Sequence, residues 1–377
     1  MSDKTKLLPS KRRTTQRKPR AKHISCAVKE YTLDKVLSDD TINEREGTYF
    51  EEKDIPIIID HDADIYVNDP AAIETGGRRL LAKLRKGVFS DELINIGWEG
   101  FFKTAAASRN RGAAAGPIDM SSMYWKKRQP VKIDKWSTQY IQDGKVSKMR
   151  VNNNVYSSVL GYFEETPFMG LPCRLTSYTQ AFFKYYKKGL PFIRAIDEQF
   201  RHLIPDKYSK QLRRITKDPF YRIKGTAFSS ITVNRNFRTA LHKDAGDFKD
   251  GFGNLTVIER GKYHGGYTLF PQYGIGIDLR TSDFLAMDVH EWHCNTAMYE
   301  TKEDAEFNKA MPQIYRHSAD TGTQGVDYPY TRLSFVCYLR EKIEGCDVDK
   351  TKSYYKKIKF DPEFGRRAKT QKRKSGI

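Results

Sequence analysis

The sequence predicts an α+β protein: a double-stranded β-helix, or jelly-roll, core flanked by helices, with disordered basic tails. Three observations carry that expectation. Short β-type runs separated by turn residues fill positions 226–340, helical periodicity appears upstream of them, and the charge concentrates at the two ends. The chain has 377 residues and a formal charge of +19. Residues 1–25 hold nine Lys/Arg against one acid, and residues 350–377 hold eleven against two, so the 324 residues between are nearly neutral.

Taken in order, residues 1–28 form a basic N-terminal tail. Its SKRRTTQRKPRAKH stretch lacks the apolar periodicity that would repay the entropy of ordering. Residues 29–76 are a mixed, acidic segment with one apolar run, IPIII at 56–60, expected to be a buried strand. The pattern over 77–105 predicts a helix. SRNRGAAAGPID (108–119) then breaks the periodicity with small residues and two arginines, a composition suited to a loop whose backbone lies close to something. Residues 174–216 predict two amphipathic helices split at Gly189-Leu190-Pro191. The runs FSSITV, NLTVIER, GGYTLFP, GIGIDL, DFLAMDV and RLSFVCYL follow without helical patterns between them, which favours an antiparallel sandwich or jelly roll over a βαβ sheet. The main domain is therefore expected to span 77–345, and residues 346–377 to form a basic C-terminal tail.

Composition narrows the function. No run approaches the roughly 20 apolar residues of a spanning helix, and the first 30 residues lack the apolar region of a secretory signal. A soluble intracellular monomer is expected, nuclear in a eukaryote or its host cell and cytoplasmic in a prokaryote or its phage. Five cysteines without a CxxC pair argue against a disulfide framework or a cysteine-built zinc site, so the thiols are expected to be reduced. The basic arms suit a polyanion, since each Lys or Arg that neutralises a phosphate releases a counterion; a solubility tail or nuclear import signal is the bland alternative.

The chemistry centres on histidine. Only eight occur, and His242 opens His242-Lys243-Asp244, whose outer residues share one face of an extended strand. A third ligand is expected from the end of DFLAMDVHEWHCNT. Two imidazoles and one carboxylate on one face of a metal form the ligand set of non-haem Fe(II) oxygenases, with zinc as the rival metal. H-x-D alone is common. The order H-x-D, Gly-Gly strand, distal His and then Arg332 in the last strand is less so, and a guanidinium can anchor the distal carboxylate of an α-keto acid bidentately. An ordinary surface ion pair is the alternative for Arg332. His61-Asp62-Ala63-Asp64 lacks the H-x-D spacing, precedes the β-rich half and is better explained as an exposed turn.

These stretches, VNRNFRTALHKDAGDF, GGYTLFP, DFLAMDVHEWHCNT and TRLSFVCYLREK, resemble the catalytic core of the TET and J-binding-protein dioxygenases, which oxidise the 5-methyl group of pyrimidines in nucleic acid. RNRGAAAG also looks like a segment of members closer to the J-binding protein. The resemblance implies that His242, Asp244 and His293 hold Fe(II), with His293 chosen over His290 because His293-Cys294-Asn295-Thr296 fits the family pattern and leaves His290 at the rim. It implies further that Arg332 and Ser334 grip 2-oxoglutarate, that O2 is the co-reactant, that Tyr338 stacks near a flipped base and that Asp247 reads the base edge. Double-stranded DNA is the expected partner.

The chain also departs from the family pattern. Arg340 stands where relatives acting on 5-methylcytosine often have His, leaving thymine and 5-methylcytosine both open. The segment between His293 and Arg332 is long, a lid or a disordered loop. Asn236 and Arg238 are expected to contact 2-oxoglutarate or a phosphate, or else to pair within their strand. A 2-oxoglutarate-dependent protein hydroxylase of the prolyl/lysyl type shares the H-x-D, distal His and Arg plan and is the alternative enzyme; a non-enzymatic binder would lack a ligand, and none is missing.

Overall fold

The computed structural model describes residues 27–311 and 329–366, without the side chains of residues 132 and 133. The first 26 residues and residues 367–377, which carry much of the expected basic arms, lie outside the described residues. So does half of the long insertion, residues 312–328.

The strands that build the core are β1 (Lys29–Leu33), β2 (Ile57–Ile59), β3 (Ala63–Asn68), β4 (Arg78–Arg85), β5 (Val155–Phe163), β6 (Arg174–Leu175), β7 (Ser230–Arg235), β8 (Gly253–Arg260), β9 (Thr268–Phe270), β10 (Ile275–Ile277), β11 (Phe284–Met287), β12 (Cys294–Asn295) and β13 (Thr331–Tyr338). The larger sheet runs β1-β3-β4-β11-β8-β13-β7-β5-β6, and the smaller runs β12-β9-β10-β2. Every pairing among β7 to β13 is antiparallel, as the absence of intervening helical patterns predicts. The result is a mixed α/β fold with large sheets.

Alternation along β13 sorts its side chains. Leu333, Phe335 and Cys337 face one way, into a core shared with helices α1 (Asp91–Phe101) and α2 (Phe183–Leu203). Arg332, Ser334, Val336 and Tyr338 face the other way and line a cavity. The same two-residue period sends Ile231 and Val233 of β7 to the helices and Thr232 and Asn234 to the cavity. A second core, built from Val257, Leu285 and Met287 of the larger sheet with Phe270, Ile275 and Ile277 of the smaller, fills the space between the two sheets. The helices therefore cover one face of the larger sheet while the smaller sheet covers the other.

Several expectations are corrected. Residues 78–85 form strand β4, and only 91–101 of the expected helix 77–105 form α1, capped by the Ser90 hydroxyl, which accepts from the Leu93 N–H. The run RRLLAKLR satisfies a helical period locally, but pairing with β3 and β11 gives its backbone a complete ladder and buries Leu81, Ala82 and Leu84. Helix α2 passes unbroken through Gly189-Leu190-Pro191. The break comes instead at Ile204, before Pro205 opens α3 (Pro205–Ile215) from a first-turn position where its missing N–H has no helical partner to lose.

Gly189 is there for contact. A methyl group built on Gly100 would lie 2.4 Å from the Gly189 Cα, and one built on Gly189 would lie 2.3 Å from the Phe101 ring. Helices α1 and α2 thus meet backbone to backbone. Gly100→Ala is expected to destabilise the protein by about 1–3 kcal/mol by forcing the helices apart, read as a lower denaturant midpoint with an unchanged slope.

The C-terminal boundary also moves. After a short helix α4 (Lys302–Lys309), residues 348–358 form helix α5 (Val348–Ile358), capped by the Asp347 carboxylate, and residues 360–366 form a small hairpin. Tyr355 and Phe360 are buried against Tyr162, Leu175 and Tyr221, and the Tyr355 hydroxyl accepts from the Leu175 N–H at 2.7 Å. Basic residues on the outer face of α5 conceal this apolar stripe. Contrary to the reading of reduced thiols, Cys173 and Cys346 are joined as a disulfide, with Cα atoms 5.9 Å apart; Cys294 and Cys337 are free and buried. The segment 29–76 is likewise no separate unit, since it supplies β1 and β3 to the larger sheet and β2 to the smaller. Among the described residues no helix is long and apolar enough to cross a membrane.

Candidate functional site

The site lies at one end of the space between the sheets. His242 and His293 are paired backbone to backbone, each N–H donating to the other's carbonyl at 3.0 Å, and their rings lie 4.3 Å apart. The Asp244 N–H donates to the Val289 carbonyl, which fixes the loop after His242 against the end of the neighbouring strand. One ligand atom from each of His242, Asp244 and His293 falls within 4.8 Å of the others. The Asp244 carboxylate is 3.6 Å from His242 Nε2 and 4.0 Å from His293 Nε2.

Hydrogen bonding selects the ring tautomers. Nδ1 of His242 lies 2.8 Å from the Ala240 carbonyl, and Nδ1 of His293 lies 2.8 Å from the Glu291 carbonyl. A carbonyl only accepts, so each Nδ1 carries the proton and each Nε2 keeps a lone pair aimed at the shared centre. Burial, helped by the neighbouring His293, pushes the His242 pKa down to about 4, so the ring is neutral at neutral pH and able to ligate. The turn before His293 is braced: Arg79 binds Asp288 at 3.0 Å and Glu291 at 2.7 Å, and the Trp292 indole N–H donates to Asn43 Oδ1.

His290 stays out of the triad and sits beside the Phe248 carbonyl at 3.4 Å. His61 pairs with Tyr31 and Asp60.

A cavity of about 170 Å³ contains the triad and is lined also by Arg332, Ser334, Asp247, Tyr338 and Arg340. The volume lies below the several hundred Å³ of common ligand pockets, so it suits a compact ligand. Arg332 is 5% exposed, and its Nε is buried without a hydrogen-bond partner. Among the described residues no carboxylate forms an ion pair with it. An isolated buried guanidinium is costly, and a carboxylate from outside relieves that cost. The Gly265-Gly266 turn packs against the Arg332 stem: both glycines have positive φ, and a methyl group on Gly266 would lie 3.4 Å from Arg332 Cδ and Nε. The donor set therefore fits Fe(II), which His242, Asp244 and His293 would hold, and a keto acid, whose far carboxylate Arg332 and Ser334 would receive.

The side of the cavity lined by Asp247, Tyr338 and Arg340 is polar and locked. The Arg340 guanidinium forms a fork with the Glu164 carboxylate, Nη2 to Oε1 at 2.6 Å and Nε to Oε2, and lies over the Phe163 ring. Its Nη1 points to the Tyr338 hydroxyl at 3.5 Å. Burial, reinforced by the negative charge of Asp244, holds the Asp247 carboxyl well above the usual carboxylate range, and its Oδ2 is buried without a partner. Burial thus disfavours the charged form of Asp247. Burial also raises the Tyr338 pKa, keeping the phenol neutral.

Asn236 and Arg238 are corrected. Asn236 Oδ1 accepts from the Arg332 N–H at 2.7 Å and its Nδ2 donates to the Tyr330 carbonyl, so it fixes the start of β13. Arg238 pairs with Glu51 at 2.7 Å and donates to the Phe50 carbonyl. Neither lines the cavity. Asn234 does, one alternation step earlier, bonded to Ser157 and Ser334. Counting the two-residue period from Thr232 would have found it. Arg111, from the loop singled out by its composition, also lines the cavity, and no local pattern announces that.

Residues 158–341, just under half of the chain, match the family Tet_JBP, described as the oxygenase domain of the 2OGFeDO superfamily. The chain is 33% identical over 178 residues to thymine dioxygenase JBP1 of Trypanosoma brucei brucei, covering 47% of this chain and 21% of that protein. It is 29% identical over 202 residues to bifunctional helicase and thymine dioxygenase JBP2 of Leishmania infantum, covering 52% of this chain and 16% of that one. The chain thus spans about a fifth of the length of these curated relatives. Among solved structures, NgTET1 in complex with 5mC DNA aligns over 78% of this chain and 83% of that one, with a TM-score of 0.44 and 11% identity.

Proposed function

We propose that this chain, whose residues 158–341 form an oxygenase domain of the 2OGFeDO superfamily, is an Fe(II)- and 2-oxoglutarate-dependent dioxygenase that hydroxylates the 5-methyl group of thymine in DNA. In this reading the two facing sheets are a double-stranded β-helix that presents the metal ligands at one mouth. The observation that carries it is the pairing of a His-Asp-His centre with a buried guanidinium lacking a carboxylate partner, in one small cavity.

When bound, the metal and keto acid supply the oxygen chemistry that replaces a methyl C–H by C–OH. The chain does the rest. His242, Asp244 and His293 offer two imidazoles and one carboxylate on one side, leaving the other side for ligands. Arg332 and Ser334 orient the keto acid through its far carboxylate. Leu255, Met287, Val289 and Val336 give the cavity apolar walls that exclude water. A methyl group in duplex DNA is out of reach of so enclosed a centre, so the nucleotide is flipped out of the stack and received beside Tyr338.

Thymine is supported by the names of the relatives and by the charge pattern of the mouth. Arg340 cannot accept a hydrogen bond, and burial favours the protonated, donating form of Asp247. Donors suit the O4 acceptor of thymine and oppose the amino group that 5-methylcytosine carries at the same position. Incubating the protein with Fe(II), 2-oxoglutarate and separate oligonucleotides bearing thymine or 5-methylcytosine is expected to yield 5-hydroxymethyluracil by mass from the first. Product from 5-methylcytosine alone would overturn the base assignment, and hydroxylation of a prolyl or lysyl peptide with neither oligonucleotide converted would overturn the substrate class.

A further inference from the structure

A second cavity of about 320 Å³ adjoins the metal pocket and shares Arg111 and Arg340 with it. Its remaining walls include Arg174, Ser108, Thr176 and Ser177, and no carboxylate lines it. Glu164, the nearby acid, is committed to the fork with Arg340. Arg111 has a buried Nε without a hydrogen-bond partner, and Arg174 donates to the Glu164 and Pro172 carbonyls and the Thr166 hydroxyl and is bonded to Tyr354. Neither forms an ion pair with a carboxylate among the described residues. Two guanidinium groups therefore line one concave space without an ion-paired carboxylate, an arrangement that an anion with several acceptor oxygens would complete.

The loop bearing Arg111 is held from both sides. The Gly112 N–H donates to Asn152 Oδ1 at 2.8 Å, Asn153 Nδ2 donates to the Ala115 carbonyl at 3.0 Å, and the Ala240 N–H donates to the Ala114 carbonyl at 3.0 Å. Ala240 lies two residues before His242. The loop is thus tied to the strand entering the metal centre, which sets Arg111 at the seam between the two cavities.

We propose that this second cavity binds the phosphodiester flanking the base that enters the metal pocket, with Arg111 and Arg174 as its phosphate ligands. The proposal rests on the nucleic-acid reading above. A flipped nucleotide carries its phosphates beside its base, and the shared Arg111 and Arg340 make the two spaces continuous. Ser177 adds a hydroxyl donor at the wall.

The test uses duplexes with one target thymine in which each flanking phosphate in turn is replaced by a neutral methylphosphonate. Binding to the wild-type protein is expected to weaken about 10-fold at one linkage, the loss of a charge-assisted hydrogen bond. Arg111→Gln and Arg174→Gln are each expected to weaken binding to the native duplex by a similar factor, to lower the salt slope by about one, and to abolish the penalty at that linkage. Penalties that multiply, or variants that bind like the wild type, would overturn the proposal. Should a variant fail to fold, the wild-type scan decides: no linkage with a tenfold effect overturns it. Inorganic phosphate that binds without competing with DNA would do the same by marking a free-anion site. Decarboxylation of 2-oxoglutarate by the wild-type protein without DNA tests the oxygenase reading separately.

Discussion

His242→Ala and Asp244→Ala are each expected to lower succinate formation from 2-oxoglutarate by more than about 100-fold while leaving the fold intact. Loss of a residue that merely orients a metal ligand commonly costs 10–100-fold, and a ligand itself contributes more. The fold survives because neither side chain anchors a core. The His242 ring makes one side-chain hydrogen bond, to the Ala240 carbonyl, and the backbone bridge to His293 needs no side chain. Asp244→Ala also removes a carboxylate held between two rings. Melting temperatures within a few degrees of the wild type, with activity lost, are the expected pair of results. Retained succinate production would count against the assignment of ligands.

Arg332→Met is expected to raise the 2-oxoglutarate concentration for half-maximal turnover by about 100-fold or more. Two charge-assisted hydrogen bonds at about 1.5–3 kcal/mol each are lost with the guanidinium. Stability should move the other way. In the absence of keto acid Arg332 is a buried charge without a carboxylate partner, so an apolar side chain of similar length is expected to leave the melting temperature unchanged or raise it. Arg332→Lys keeps the charge but loses the planar fork and should fall between the two. A variant that binds 2-oxoglutarate as tightly as the wild type would mean that the guanidinium faces some other group.

The β-rich half was legible because one face of each strand is buried against helices and the other faces a polar cavity. In TRLSFVCYL the apolar residues Leu333, Phe335 and Cys337 alternate with Arg332, Ser334 and Tyr338, and the structure sorts them by that period. The triad was legible for a related reason: H-x-D and the distal His flank apolar strands whose pairing brings His242 opposite His293. What escaped depends on tertiary partners. RRLLAKLR satisfies both periods, and only the neighbouring strands choose between them. Arg111 reaches the metal pocket through hydrogen bonds from Asn152, Asn153 and Ala240, all distant in sequence. Asn236 and Arg238 were open between a ligand and a partner within the protein, and the structure shows the second: a left-handed turn at Asn236 directs its amide to β13 and Glu51 captures Arg238. In the C-terminal segment, charge hid the apolar stripe of Tyr355 and Phe360.

The central claim is that two imidazoles and one carboxylate, delivered by two separate stretches of chain, share one ion. Titrating metal-free protein with Mn(II), a redox-inert substitute for Fe(II), measures this without turnover. One equivalent should bind to the wild type, and His293→Ala should lose that binding while remaining folded. A wild-type protein that takes up no stoichiometric metal, or a His293→Ala variant that binds as the wild type does, would contradict it.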